Sequence, residues 1–95
     1  MSTSADARIA ELKLVLPPVP KPMAKYKPAV RLGNALYVSG HGPLKEDKSL
    51  IVGKVGSDLT LEQGKQAARQ VGLAILSTLK AQLGSLDKIV RLVKT

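Results

Sequence analysis

The stretch LYVSGHGPL, residues 36–44, gathers most of the groups in this chain that could do chemistry. Ser39 offers a hydroxyl that can donate or accept. Gly40 lacks a Cβ, so a ligand can approach its backbone N–H closely. His41, the one histidine, carries the only side chain whose ordinary titration lies near neutrality. An imidazole beside a hydroxyl suggests nucleophilic or acid–base catalysis. However, no G-x-S-x-G elbow surrounds Ser39, and no acidic residue lies nearby in sequence to orient His41. The pattern argues against covalent chemistry and leaves two readings open: ligand contact at Ser39, Gly40 and His41, or a plain hairpin exit in which Ser39 caps its own turn and His41 is a turn residue bonded to a backbone carbonyl. Gly42-Pro43 turns the chain. Tyr26 adds a phenol that could bond a carboxylate or orient a water. Arg31 sits mid-strand and reads as a solvated residue. Arg91 sits in an apolar run, where a buried guanidinium would need an acidic partner.

Composition narrows the chemistry further. No cysteine is present, which excludes disulfides and thiolate metal sites, and a lone histidine makes any metal centre improbable on ligand count. No cofactor is expected. Fifteen Lys and Arg against seven Asp and Glu give a net charge of +8, which favours anionic partners. The charge is spread along the chain, with a mild cluster at Lys21, Lys25, Lys27 and Arg31. With only Tyr26 and Tyr37 as aromatics, there is no patch for stacking bases, so nucleic acid is the less favoured anion. No apolar run approaches the ~18 residues of a membrane span. The opening residues lack the apolar core of a secretory signal. The expectation is a soluble, cytoplasmic protein.

The elements that must position these residues are legible from pattern. Ninety-five residues make one domain at most, with a core of Leu, Val, Ile and Ala. Residues 4–13 read as a short amphipathic helix with Ser4 as N-cap. Pro17, Pro18, Pro20 and Pro22 make the following chain an extended arm. Residues 1–22 are thus set apart from a unit spanning 23–95. Residues 29–32 and 35–39 form a hairpin around Gly33-Asn34, because Gly and Asn tolerate positive φ. Residues 43–49 form a polar loop, 50–52 a brief edge strand or loop anchor, and Gly53 and Gly56 bound a turn. Residues 60–83 form a long helix, with Thr60 and Gln63 as a capping box and Gly84 as C-cap. Its core stripe is expected at Ala68, Val71, Gly72, Ile75, Leu79 and Leu83. Residues 89–94 read as an interior strand, because both faces are apolar. The fold class is α+β: a β-hairpin plus a long helix packed on a mixed sheet, in β-β-α-β order. An interior strand needs neighbours on both sides, so a second half or another chain is expected beside it.

The segment YKPAVRLGNALYVSG (Tyr26–Gly40) resembles the RidA family, also called YjgF or L-PSP endoribonuclease-like. The likeness continues through GKVGSDLT at 53–60, the long helix, and LDKIVR at 86–91. SGHGPL resembles the longer branch of that family, which carries an N-terminal helical extension. The resemblance implies the first half of a RidA/chorismate-mutase-like α/β domain and a homotrimer with clefts between subunits. It also implies a hydrolase that converts 2-imino or 2-enamino acids to 2-keto acids and ammonia. A small carboxylate-bearing substrate would meet Tyr26, Ser39, Gly40 and His41. The family's carboxylate-binding arginine and the acid near its activated water fall in its C-terminal half, so no position here inherits them. The chain is accordingly expected to be a truncated form, with its catalytic residues unknown. Two alternatives stand beside this reading: a non-catalytic carboxylate-binding or assembly module, and an RNA-binding, endoribonuclease-like protein.

Overall fold

The computed structural model describes residues 4–19 and 25–95. The order is α1 (Ala5–Glu11), β1 (Ala29–Leu32), β2 (Ala35–Val38), α2 (Leu61–Leu83) and a 3-10 turn, η1 (Leu86–Lys88). The α+β class holds. β1 and β2 pair antiparallel, with Ala29 opposite Val38 and Leu32 opposite Ala35. Gly33 has φ +61° and Asn34 has no positive φ. A positive φ at the first central residue alone is what a type II′ hairpin turn requires.

α2 begins as its sequence dictates. The Thr60 hydroxyl accepts from the Gln63 N–H at 3.2 Å, and the Gln63 side chain accepts from the Thr60 N–H at 2.8 Å. Such a cap contributes about 1 kcal/mol. At the other end Gly84, at φ +81°, donates its N–H to the Lys80 carbonyl and stops the helix.

The inward face of α2 differs from the expected stripe. Leu73, Ala74, Ser77 and Thr78 are buried. Ala68 and Gly72 are exposed, and Val71, Ile75, Leu79 and Leu83 are only half-buried. At 3.6 residues per turn, the two sets lie roughly 160° apart around the axis. Residues 71–79, VGLAILSTL, hold no charge, so periodicity alone does not select a side there. Polar anchoring selects it. Gln70 Nε2 donates to the Leu44 carbonyl at 2.6 Å, and the Ser77 hydroxyl donates to the Pro17 carbonyl at 2.7 Å. The second bond clips the proline segment to the helix. Pro17 and Pro18 lie within that described segment; Pro20 and Pro22, the rest of the expected arm, lie outside the described residues.

Helix α1 docks onto η1 and does not stand off on an arm. The Asp6 carboxylate accepts from the Ser85 hydroxyl and from the Leu86 N–H (3.2 Å), while the Asp6 N–H donates to Asp87 Oδ1 at 2.9 Å. Each segment caps the other's N-terminus across about eighty residues of chain. Residues 50–52 act as a loop anchor: Leu44 and Leu50 form an isolated antiparallel bridge, and the Ile51 N–H donates to the Pro43 carbonyl.

The expected strand at 89–94 is not hydrogen-bonded into the sheet, so the last β of the β-β-α-β order is absent among the described residues. The chain enters it in extended backbone at Ile89, but no strand lies alongside. Val90, Leu92 and Val93 remain exposed. An apolar strand without a neighbour has no ladder to join, which is why the pattern alone does not produce one.

The Ser85 hydroxyl bond, reinforced by the Leu86 N–H and the Lys80 charge, holds the Asp6 carboxyl below the usual carboxylate range. A depressed folded-state value means its contribution is complete above the unfolded value of about 3.9 and is lost as pH falls through the folded value. Acid titration monitored by urea midpoint should therefore show an extra loss of stability below about pH 4. Asp6→Asn should remove that increment and leave the two proteins converging at the acid end.

Candidate functional site

The hairpin brings together residues that sequence places far apart. Beyond Val38 the ladder runs one step further, with the Ser39 N–H donating to the Pro28 carbonyl at 2.9 Å. The Ser39 hydroxyl donates to the Lys27 carbonyl at 2.6 Å. The Tyr26–Pro28 segment therefore runs beside Ser39 and Gly40, and Tyr26 is exposed at its end. The one hydroxyl proton of Ser39 is committed to the Lys27 carbonyl, so the group retains acceptor capacity only.

His41 turns back toward the helix. Its Nδ1 lies 2.7 Å from the Ser39 carbonyl and its Nε2 lies 2.8 Å from the Thr78 hydroxyl oxygen. A carbonyl can only accept, so Nδ1 carries the proton; in the neutral ring Nε2 then accepts from Thr78. Both nitrogens are thereby occupied. Thr78 is 1% exposed, and the imidazole is what satisfies its hydroxyl at this point. The geometry gives His41 the work of a tie between strand end and helix. Sequence reasoning missed Thr78, and an isolated threonine in an apolar helix run gives no signal of such a bond.

Gly40 is the open point of the strand end. Nothing lies within 4 Å of where its Cβ would stand, and its φ is not in the left-handed region. Neither its N–H nor that of His41 has a partner among the described residues. Local backbone geometry thus does not demand glycine here; an approaching ligand or chain would. Arg31 is exposed and donates from Nε to the Gly33 carbonyl at 3.1 Å, which ties it to the hairpin turn. Arg91 is also exposed, so the expected buried guanidinium and its acidic partner are not found.

Removing the imidazole should strand a buried hydroxyl. His41→Ala is expected to lower stability by about 1–3 kcal/mol, the cost of an unsatisfied buried polar group. Thr78→Val in the His41→Ala background should recover part of that loss. Urea midpoints of the four proteins in the cycle measure it; additive losses would show that the two residues do not interact.

Against this geometry stand the comparisons with known proteins. No family model matches the chain. Protein TCP17 of Trypanosoma cruzi is 36% identical over 98 residues, an alignment covering 99% of this chain and 61% of that protein. A Shewanella oneidensis structure described as a "putative endoribonuclease" superposes with a TM-score of 0.82 at 29% identity, over 88% of this chain and 56% of its own. A protein of unknown function from Agrobacterium tumefaciens superposes with a TM-score of 0.76 at 37% identity, over 92% of this chain and 53% of its own. The chain thus spans between about half and three fifths of the relatives it matches. Its small α+β fold, with a two-stranded antiparallel sheet and two helices, is one that the endoribonuclease-like structure shares.

Proposed function

We propose that this chain is a RidA-like unit that holds a small 2-oxo or 2-imino carboxylate at the open end of β2. Hydrolysis of the imine or enamine, to a 2-keto acid and ammonia, is then the reaction of the assembled site. The observation that carries this reading is the open backbone at Gly40 and His41. Two successive N–H groups without described partners sit beside the Tyr26–Pro28 segment, with no side chain at Gly40 to block approach. A carboxylate is an acceptor-only ligand and suits unpaired N–H donors. Tyr26 supplies a hydroxyl at the rim.

The chemistry of hydrolysis falls outside the groups described at this strand end. Ser39 has committed its proton, and His41 has committed both nitrogens. In this reading they position the backbone, and a homotrimeric assembly in the cytoplasm completes the cleft. The exposed sheet face of Val30, Leu32 and Tyr37, together with the exposed residues 89–95, is the surface through which it would assemble.

RNA binding is the second reading, supported by the +8 charge and by the description of the Shewanella relative. It requires an affinity that falls steeply and linearly with salt on logarithmic axes. Cleavage would also need an acid–base pair, and His41 is already bonded on both sides.

Two measurements test the proposal. Binding of 2-oxobutanoate, followed by amide shifts, is expected at Gly40 and His41. Gly40→Ala should abolish it while moving stability by no more than about 0.5 kcal/mol, since open space surrounds the position. Ammonia release from an imino acid generated in situ should exceed the buffer blank. No binding of the keto acid removes the whole reading, whereas binding without ammonia release leaves a carboxylate-binding module.

A further inference from the structure

Six described residues adopt positive φ, and four of them are glycines. The other two are both lysines: Lys13 at φ +54° and Lys48 at φ +71°. Each occupies a position for which glycine is the ordinary choice. After α1, the Leu14 N–H bonds the Ile9 carbonyl and the Lys13 N–H bonds the Ala10 carbonyl, both at 3.1 Å. That is a Schellman motif with Lys13 as its left-handed residue. In the loop, the Lys48 N–H bonds the Lys45 carbonyl and the Lys45 N–H bonds the Ser49 carbonyl. A tight turn followed by a left-handed residue is again a glycine position. A side chain there costs roughly 1 kcal/mol or more. Backbone strain of this kind persists where the surrounding structure holds it in place, and it clusters at ligand sites and switches.

Lys13 borders a groove. It has a volume of about 510 Å³ and runs between the segment after α1, the loop carrying Lys45–Asp47, and α2. Lys13, Lys45 and Arg69 line it, and Lys48 directly follows its Asp47 wall. None of these four cations forms a salt bridge among the described residues. The acids do not cancel them. Asp47 is turned into its own loop, where the Ser49 hydroxyl and N–H hold its carboxyl below the usual range, with Lys45 contributing. The three lining cations against Glu46 and Asp47 leave a local excess of +1. The same groove is lined by Leu12, Leu14 and Val15 from the N-terminal segment and by buried Leu73 from α2. The Gln70 bond to the Leu44 carbonyl fixes the loop against the helix.

We infer that this groove is a binding site for an organic anion with an apolar body: the leucine and valine side chains cover the body, and Lys13, Lys45 and Arg69 hold the anionic head. It shares no lining residue with the Ser39–His41 strand end and is independent of the function proposed there. The absence of aromatic side chains from its lining argues for an aliphatic body over a stacked base.

The test is a titration of the ¹⁵N-labelled chain with decanoate, with decanol and inorganic phosphate as parallel arms. Decanoate should shift the amides of Lys13, Lys45–Lys48, Arg69 and Gln70 in a saturable way, and neither control should match it. Lys13→Gly is the decisive variant. It should raise the melting temperature by relieving the left-handed strain and weaken decanoate about tenfold by removing one charge-assisted contact. Arg69→Gln should weaken binding by a similar factor without raising the melting temperature. Equal binding of decanol, equal binding of phosphate, shifts confined to other regions, or a Lys13→Gly protein that binds as well as the parent would each overturn the inference.

Discussion

Everything in this fold hangs on one side of α2, and that side is held as much by hydrogen bonds as by apolar contact. Within about two turns and a half, Gln70 holds the Leu44 carbonyl, Ser77 holds the Pro17 carbonyl and Thr78 meets the His41 ring. Leu73 and Ala74 fill the space between these ties. The helix therefore fixes three otherwise irregular segments: the proline stretch, the strand end and the loop. A small domain without Phe or Trp has little apolar area with which to do this. Satisfied polar bonds give the docking its direction, since each is lost if the helix rotates, whereas apolar contact tolerates rotation.

That division explains what could be read from the sequence. Features that depend on a few adjacent residues were legible: the Thr60–Gln63 box, the Gly84 stop, the Gly33 turn and the Ser4 cap of α1. The face of α2 was not, because the uncharged run from Val71 to Leu79 offers apolar residues on every side and the choice is made by carbonyls of distant segments. The docking of α1 was hidden for the same reason. Asp6 reads locally as an acid in a first turn, yet its partners are Ser85, Leu86 and Asp87 at the far end of the chain. At the candidate site, the residue types were legible and their commitments were not. Ser39 and His41 look free in sequence, while in the fold they bond Lys27, Ser39 and Thr78. Gly40 is the converse case, a residue that packing within the described chain leaves unexplained.

The hairpin shows how far this economy extends. Its register places Ala29, Arg31, Leu36 and Val38 on one face and Val30, Leu32, Ala35 and Tyr37 on the other. Only Ala29 is buried, and β1 packs on α2 there. The opposite face exposes Val30, Leu32 and Tyr37 together. A two-stranded ribbon is marginal in water unless it gains a third strand or a packed face. The packing of β1 on α2 around Ala29 supplies little of that. The strand end that carries Gly40 and His41 accordingly depends on the His41–Thr78 tie for its position.

Surface area puts a scale on what is left uncovered. A compact monomer of 10.1 kDa should expose about 5,300 Å². This chain exposes 7423 Å². Its radius of gyration is 14.4 Å, against about 12.4 Å for a compact chain of this length. The excess of roughly 2,000 Å² is more than twice the ~800 Å² that one partner contributes to a standard interface. Two exposed apolar surfaces contribute to it: the outer hairpin face and the segment holding Val90, Leu92 and Val93. Isolated exposed apolar residues are ordinary, whereas contiguous ones are uncommon on a monomer's surface. Further β structure placed beside residues 89–94 would pair their backbone and bury their side chains in one step. A helix or loop laid over them could bury the side chains but would leave the ladder groups to water. Strand addition is therefore the form of cover that this segment's chemistry favours.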